Sequence, residues 1–236
     1  KSSMLRRWAL TLTALAVSES QLQMPPNFRS PFRALSSLST SACVTHSPSV
    51  YLVRHGQSTW NLAAKRWDLW TMFSQVDHPL TEEGVAQAKH LRSLSAFEKL
   101  SSSPKTRIFA SPLTRALETT LLAVGTQRSL TLLPDARELA WPFCGPDSRS
   151  SLMGKEVLRK SLDELSKVDA EYSKRAVLED MDVDDSRVAG TWSNYRESKV
   201  EMSSRLQRLL RTIRPDYQTT SWKSSILVCH SLMIQR

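Results

Sequence analysis

Four short apolar runs constrain the fold more than any other feature of this chain. SVYLVRH (49–55), TRIFAS (106–111), SLTLLP (129–134) and SSILVCH (224–230) have the length and composition of buried strands. Helical patterns separate them. Thr81 is suited to cap a helix, with Glu82 and Glu83 favourable in its first turn and Val85, Ala88 and Leu91 on one face. Leu113, Ala116, Leu117, Thr120 and Leu121 recur at helical spacing, as do Leu158, Leu162, Leu165 and Val168, and then Leu206, Leu209, Leu210 and Ile213. Strands alternating with helices specify an α/β sandwich. The stretch from 48 to 236 is long enough for one such domain and short for two.

Residues 1–47 read differently. A basic start at Arg6 and Arg7 precedes an apolar run from Trp8 to Val17, and SPFRALSSLSTSAC is Ser-rich and free of acids. This is the composition of a targeting leader, or of a disordered basic tail. The reading leaves organellar (mitochondrial or plastid) and secretory addresses open, and a cytoplasmic location if the leader is not functional. The stop shortly after His230 is expected to leave the domain truncated at its C-terminus, because a buried strand ordinarily leads into a covering element.

The net charge of +9 and pI near 9.7 favour anionic ligands. They do not make a nucleic-acid binder: no basic block is interleaved with aromatics and no zinc-finger spacing occurs. No run of about 18 apolar residues marks a transmembrane segment. Cys43, Cys144 and Cys229 form no C-x-x-C pair, so neither a disulfide framework nor a zinc site is suggested. The CGPDSR segment falls one residue short of a C-x5-R phosphatase loop, and Cys144 reads as a loop residue.

Ligands of an open α/β sheet sit beyond the carboxyl ends of its strands. Arg54 and His55 end the first strand, Arg115 follows the second, Glu138 the third, and His230 ends the last. Two arginines, two histidines and a carboxyl group on one rim suit a phosphate ester. Arginine offers a planar fork to phosphate oxygens, histidine can attack phosphorus, and a carboxyl can protonate a leaving oxygen. A helix starting after Gly56 would aim backbone N–H groups at the anion, and Gly56 would permit close approach. No Asp/Glu/His cluster at metal-ligand spacing accompanies the set, so no metal or other cofactor is expected.

LVRHGQSTWN (52–61) resembles the signature of the histidine phosphatase superfamily, the phosphoglycerate mutase-like family. The resemblance continues through HPLTEEGVAQA (78–88), SPLTRALETT (111–120), the RELA segment around Glu138, and ILVCHSLMI (226–234). It implies a three-layer α/β/α sandwich with a mainly parallel central sheet. It also implies metal-independent hydrolysis of phosphomonoesters through a phosphohistidine on His55. Arg54, Arg115 and His230 would hold the phosphoryl oxygens, Asn61 would line the phosphate pocket, and Glu138 would be the proton donor. The implied partner is a small-molecule phosphate ester, with a phosphoprotein as a wider option; oligomeric state is not implied. Two departures matter: Ser231 and Leu232 stand where glycines usually follow the second histidine, and RELAWPFCGPD stands where mutases resemble one another in Glu-Arg-x-Tyr-Gly. A phosphatase is therefore favoured, with a phosphoglycerate mutase and a catalytically weak phosphate-binding or scaffold member as alternatives.

The remaining polar features read as ordinary surface. Glu197 and Glu201 suggest a solvated helix face, and Arg205, Arg208 and Arg211 a basic one. EDMDVDD (179–185) reads as a solvated acidic loop. His78 reads as a loop residue and His90 as a helix-surface residue. Trp67, Trp70, Phe73 and Trp141 either wall the pocket or pack beneath a loop.

Overall fold

The computed structural model describes residues 14–17, 49–138, 150, 152–169, 172, 181–190, 192, 197–214 and 221–234. Cys43, Cys144, Trp141 and, apart from 14–17, the leader lie outside the described residues. The chain runs β1 (Ala14–Val17), β2 (Ser49–Arg54), α1 (Thr59–Arg66), α2 (Leu69–Ser74), α3 (Glu82–Ser93) and α4 (Ser95–Ser102). It continues through β3 (Thr106–Ala110), α5 (Thr114–Val124), β4 (Leu130–Leu132), a 3-10 turn at Pro134–Ala136 and α6 (Lys155–Val168). Last come β5 (Val183–Asp184), a 3-10 turn at Ser186–Val188, α7 (Lys199–Ile213), β6 (Ser224–Cys229) and the short α8 (Ser231–Ile234).

The sheet order is β1-β2-β6-β3-β4-β5. Strands β2, β6, β3, β4 and β5 are parallel, and β1 pairs antiparallel with β2 along one edge. Alternate strand residues face opposite sides, as the pleat requires. Val53, Ile108, Ala110, Leu130, Leu132, Ile226 and Val228 join the core that also holds Val85, Ala88 and Leu91 of α3, the apolar face of α5, and Leu158, Leu162 and Leu165 of α6. Val50, Phe109, Leu227 and Cys229 face the other way, onto Leu209 and Ile213 of α7. Each face of the sheet is therefore covered by helices, giving the expected three layers.

The capping chemistry agrees with the sequence reading: the Thr81 hydroxyl accepts from the Gly84 N–H and starts α3. The acidic run differs. Val183 and Asp184 form a short edge strand on β4, because the parallel ladder there satisfies backbone groups that a solvated loop would leave to water. Helices α2 and α4 carry no strong sequence signal, being 6 and 8 residues long. Among the described residues no helix is long and apolar enough to cross a membrane.

Candidate active site

Strand register builds the site. Arg54 pairs with Cys229 across β2 and β6, and Ala110 pairs with Val228 across β3 and β6. The next residues extend the ladder: His55 donates its N–H to the Cys229 carbonyl at 3.0 Å, and Ser111 donates to the Val228 carbonyl at 2.9 Å. The carboxyl ends of three strands thus lie level. His55 and His230 emerge side by side, with ring centroids 5.0 Å apart.

Arg115 reaches the same point from the first turn of α5. That turn is held from outside its own helix. The Asp77 carboxylate accepts the Thr114 N–H at 2.8 Å and the Thr114 hydroxyl at 2.7 Å, and Lys160 reaches Asp77 at 3.3 Å. The Arg115 Nε–H faces His55 Nε2 at 3.2 Å. Glu138, from the segment after β4, brings its Oε2 to 3.9 Å from His230 Nδ1. Five of the six residues singled out in the sequence therefore converge. Asn61 sits in α1 as a cap: its side-chain oxygen accepts the Ser58 N–H at 3.1 Å while the Ser58 hydroxyl accepts the Asn61 N–H.

One contact fixes the tautomer of His55. Its Nδ1 lies 2.6 Å from the Gly56 carbonyl, an acceptor, so Nδ1 carries the proton and the Nε2 lone pair accepts the Arg115 Nε–H. The Ser111 hydroxyl accepts the Leu113 N–H at 3.3 Å and lies 2.9 Å from His230 Nε2. His230 Nδ1 and Arg54 Nε are buried with no hydrogen-bond partner among the described residues. Buried polar atoms without partners cost about 1–3 kcal/mol each, a cost that a bound anion would remove where the atom carries a proton.

Burial, and after it the neighbouring Arg115 and Arg54 charges, push the His55 imidazole well below the usual histidine range. Burial, and after it the Arg115, His55 and Arg54 charges, hold His230 well below it. Burial also lowers Arg54, partly offset by the Glu138 carboxylate. The result is two neutral imidazoles among two guanidinium groups.

Some expectations change. Helix α1 starts at Thr59, later than Gly56, and the backbone donors of this turn are already used. Gly56 N–H goes to the Thr119 hydroxyl at 3.0 Å, Gln57 N–H to the Gln87 side chain at 3.0 Å, and Thr59 N–H to the Pro79 carbonyl at 2.9 Å. Gly56 is required by the chain itself: a Cβ there would lie 2.6 Å from the Gly84 carbonyl oxygen. His78 is fully buried, its Nε2 3.0 Å from the Thr71 carbonyl, whereas His90 is exposed as expected. Trp67, Trp70 and Phe73 are exposed rather than packed under a loop. Glu197 and Arg205 are buried against one another, contrary to a solvated face, because each supplies the charge the other needs to leave water. Ser111 and Thr119 were not singled out in the sequence. Both lie in the SPLTRALETT block, where only the fold reveals their partners.

These elements define an α/β protein whose sheet rim gathers two histidines, two arginines and a carboxyl group. Residues 50–145 match the model of the histidine phosphatase superfamily (branch 1), so the likeness carried by the motifs is shown over that span. The chain is 46% identical over 72 residues to the 2,3-bisphosphoglycerate-dependent phosphoglycerate mutase of Maricaulis maris, a match covering 30% of this chain and 26% of that protein. It is 33% identical over 115 residues to 2,3-bisphosphoglycerate-dependent phosphoglycerate mutase 2 of Arabidopsis thaliana, covering 48% and 31%. The match spans about a third or less of these relatives' own lengths. Among solved structures, a phosphoserine phosphatase mutant from Entamoeba histolytica in complex with phosphoserine superposes with a TM-score of 0.44 and 20% identity, over 79% of this chain and 75% of that one.

Proposed function

We propose that the chain is a metal-independent phosphatase that hydrolyses phosphomonoesters through a phosphohistidine on His55. The observation that carries this reading is the buried Arg54 Nε–H and His230 Nδ1, neither with a hydrogen-bond partner among the described residues, beside a His55 imidazole protonated on Nδ1 and not on Nε2. His55 Nε2 attacks phosphorus, and the P–O bond to the leaving group breaks. Glu138 gives its proton to the departing oxygen. Arg54, Arg115 and His230 bind the equatorial oxygens, whose charge is spread in the transition state. Glu138 then takes a proton from a water that attacks the phosphohistidine, releasing phosphate and restoring neutral His55. Asn61, which completes the α1 cap, matches a phosphate-pocket position in the family resemblance. Small-molecule phosphate esters are the substrate class.

The test is phosphate release from phenyl phosphate by the full chain and by His55→Ala, with EDTA present. Release by the parent alone, with an acid-labile, base-stable phosphoenzyme, supports the reading. Equal release by both, or dependence on an added metal, overturns it. A phosphoglycerate mutase is the second reading, favoured by the names of the matching relatives. The RELAWPFCGPD segment weighs against it. Isomerisation of a monophosphoglycerate without net phosphate release would establish the mutase.

A further inference from the structure

Glu138 follows the 3-10 turn at Pro134–Ala136, and the chain leaves regular structure at Arg137. A side chain from a distant helix adds a constraint on this segment. Arg205 of α7 is 1% exposed and forks onto Glu197, with Nε–H donating to Oε1 at 2.7 Å and an Nη2–H to Oε2 at 2.7 Å. Its Nη1 donates to the Asp135 carbonyl at 2.7 Å and to the Arg137 carbonyl at 3.1 Å. Glu197 Oε1 also accepts from Arg137 at 3.2 Å. The guanidinium therefore grips two backbone carbonyls of the four-residue stretch that ends at Glu138, and its position is set by a bidentate ion pair.

We infer that Arg205 is the positioning residue for the proton donor: its clamp on Glu197 and on the Asp135 and Arg137 carbonyls fixes the backbone from which Glu138 enters the site. The inference rests on the reading of Glu138 as that donor. A planar fork is needed, because a lysine ammonium cannot hold a bidentate carboxylate and two carbonyls at once. Proton transfer to a leaving group requires the carboxyl within hydrogen-bond reach of the ester oxygen, and small displacements lose it. Supporting groups of this kind typically change activity by about 10–100-fold when altered.

The experiment compares kcat/KM for phenyl phosphate and for 2,4-dinitrophenyl phosphate in the full chain, Arg205→Lys, Glu197→Gln and Glu138→Gln. This ratio reports events up to departure of the leaving group. Phenolate needs a proton, whereas dinitrophenolate leaves without one. Arg205→Lys keeps a cation opposite Glu197 and so avoids a buried unpaired carboxylate, and circular dichroism checks each fold. The expected result is a loss of about 10–100-fold on phenyl phosphate and under about 3-fold on the dinitrophenyl ester for Arg205→Lys and Glu197→Gln, a weaker copy of Glu138→Gln. Equal losses on both substrates, or none, in folded Arg205→Lys would overturn the inference while Glu138→Gln remained selective. If Glu138→Gln were itself unselective, the donor reading would fall, and the positioning role with it.

Discussion

The rings of His55 and His230 lie with centroids 5.0 Å apart and planes tilted by 58°, although neither residue is near the other in sequence. Both are buried, at 4% and 0% exposure, and neither approaches a solvent that could stabilise two adjacent cations. Burial and the two guanidinium groups keep both imidazoles neutral. On the proposed reading, a neutral pair is what binding and attacking an anion at neutral pH requires.

That protonation state has a measurable consequence for catalysis. With His55 held well below the usual range, its imidazole, the proposed nucleophile, stays neutral at pH 6.5, where a free histidine would be half protonated. The acid limb of kcat/KM, corrected for substrate ionisation, is expected to fall clearly below pH 6.5. A limb centred at or above 6.5 would contradict the burial argument.

It also has a consequence for stability. A histidine lowered on folding refuses a proton that the unfolded chain accepts below about pH 6.5, so its contribution is complete above that pH and is lost as pH falls through it. His230→Gln removes one such group. Between pH 7.5 and 5.5 the parent is expected to lose more urea-unfolding stability than the variant. Parallel losses would show that His230 titrates normally in the fold.

Glu118 has the opposite sign. It is 1% exposed, accepts the Leu80 N–H at 2.6 Å, and is raised well above the carboxylate range, first by burial and then by Asp77 and Glu164. A carboxyl raised on folding costs stability once pH exceeds its unfolded value, because the unfolded chain ionises more readily. Glu118→Gln is expected to gain unfolding temperature relative to the parent as pH rises from 5 to 7.5. A constant difference across that range would sink the prediction.

Two glycines meet where α3 crosses the turn after His55. A Cβ on Gly84 would lie 2.1 Å from the Gln57 carbonyl oxygen, a backbone atom that cannot swing aside. Gly84→Ala is expected to cost about 3 kcal/mol or more in chemical denaturation and to reduce activity with it. A change under about 1 kcal/mol would show that the two segments separate at little cost.

Ser111→Ala tests the contact that orients His230. Without the hydroxyl, Nε2 loses its partner at 2.9 Å and the ring is no longer held. The expected result is a drop of about 10–100-fold in kcat/KM with unfolding behaviour near the parent's. Undiminished kcat/KM would mean that the ring needs no such partner.

The sequence by itself determined four of the six strands, the main helices and most of the residues gathered at the candidate site. Apolar runs and 3.6-residue spacing are local signals, and Arg54, His55, Arg115 and His230 sit at strand ends or first turns where such signals stop. Asn61 was legible as a position, although its capping role emerged only from the bond to Ser58. Tertiary structure decided what depends on partners remote in the chain. Glu197 and Arg205 look solvated because charged residues at helical spacing ordinarily are. They are buried because the fork between them and the Asp135 and Arg137 carbonyls satisfies both charges away from water. The amides after His55 look free to bind an anion, yet Thr119, Gln87 and Pro79 take them. Periodicity records which face of an element is apolar. Which polar atom meets which is set by the register of β2, β6 and β3 and by the helices packed over them, and no local pattern encodes that.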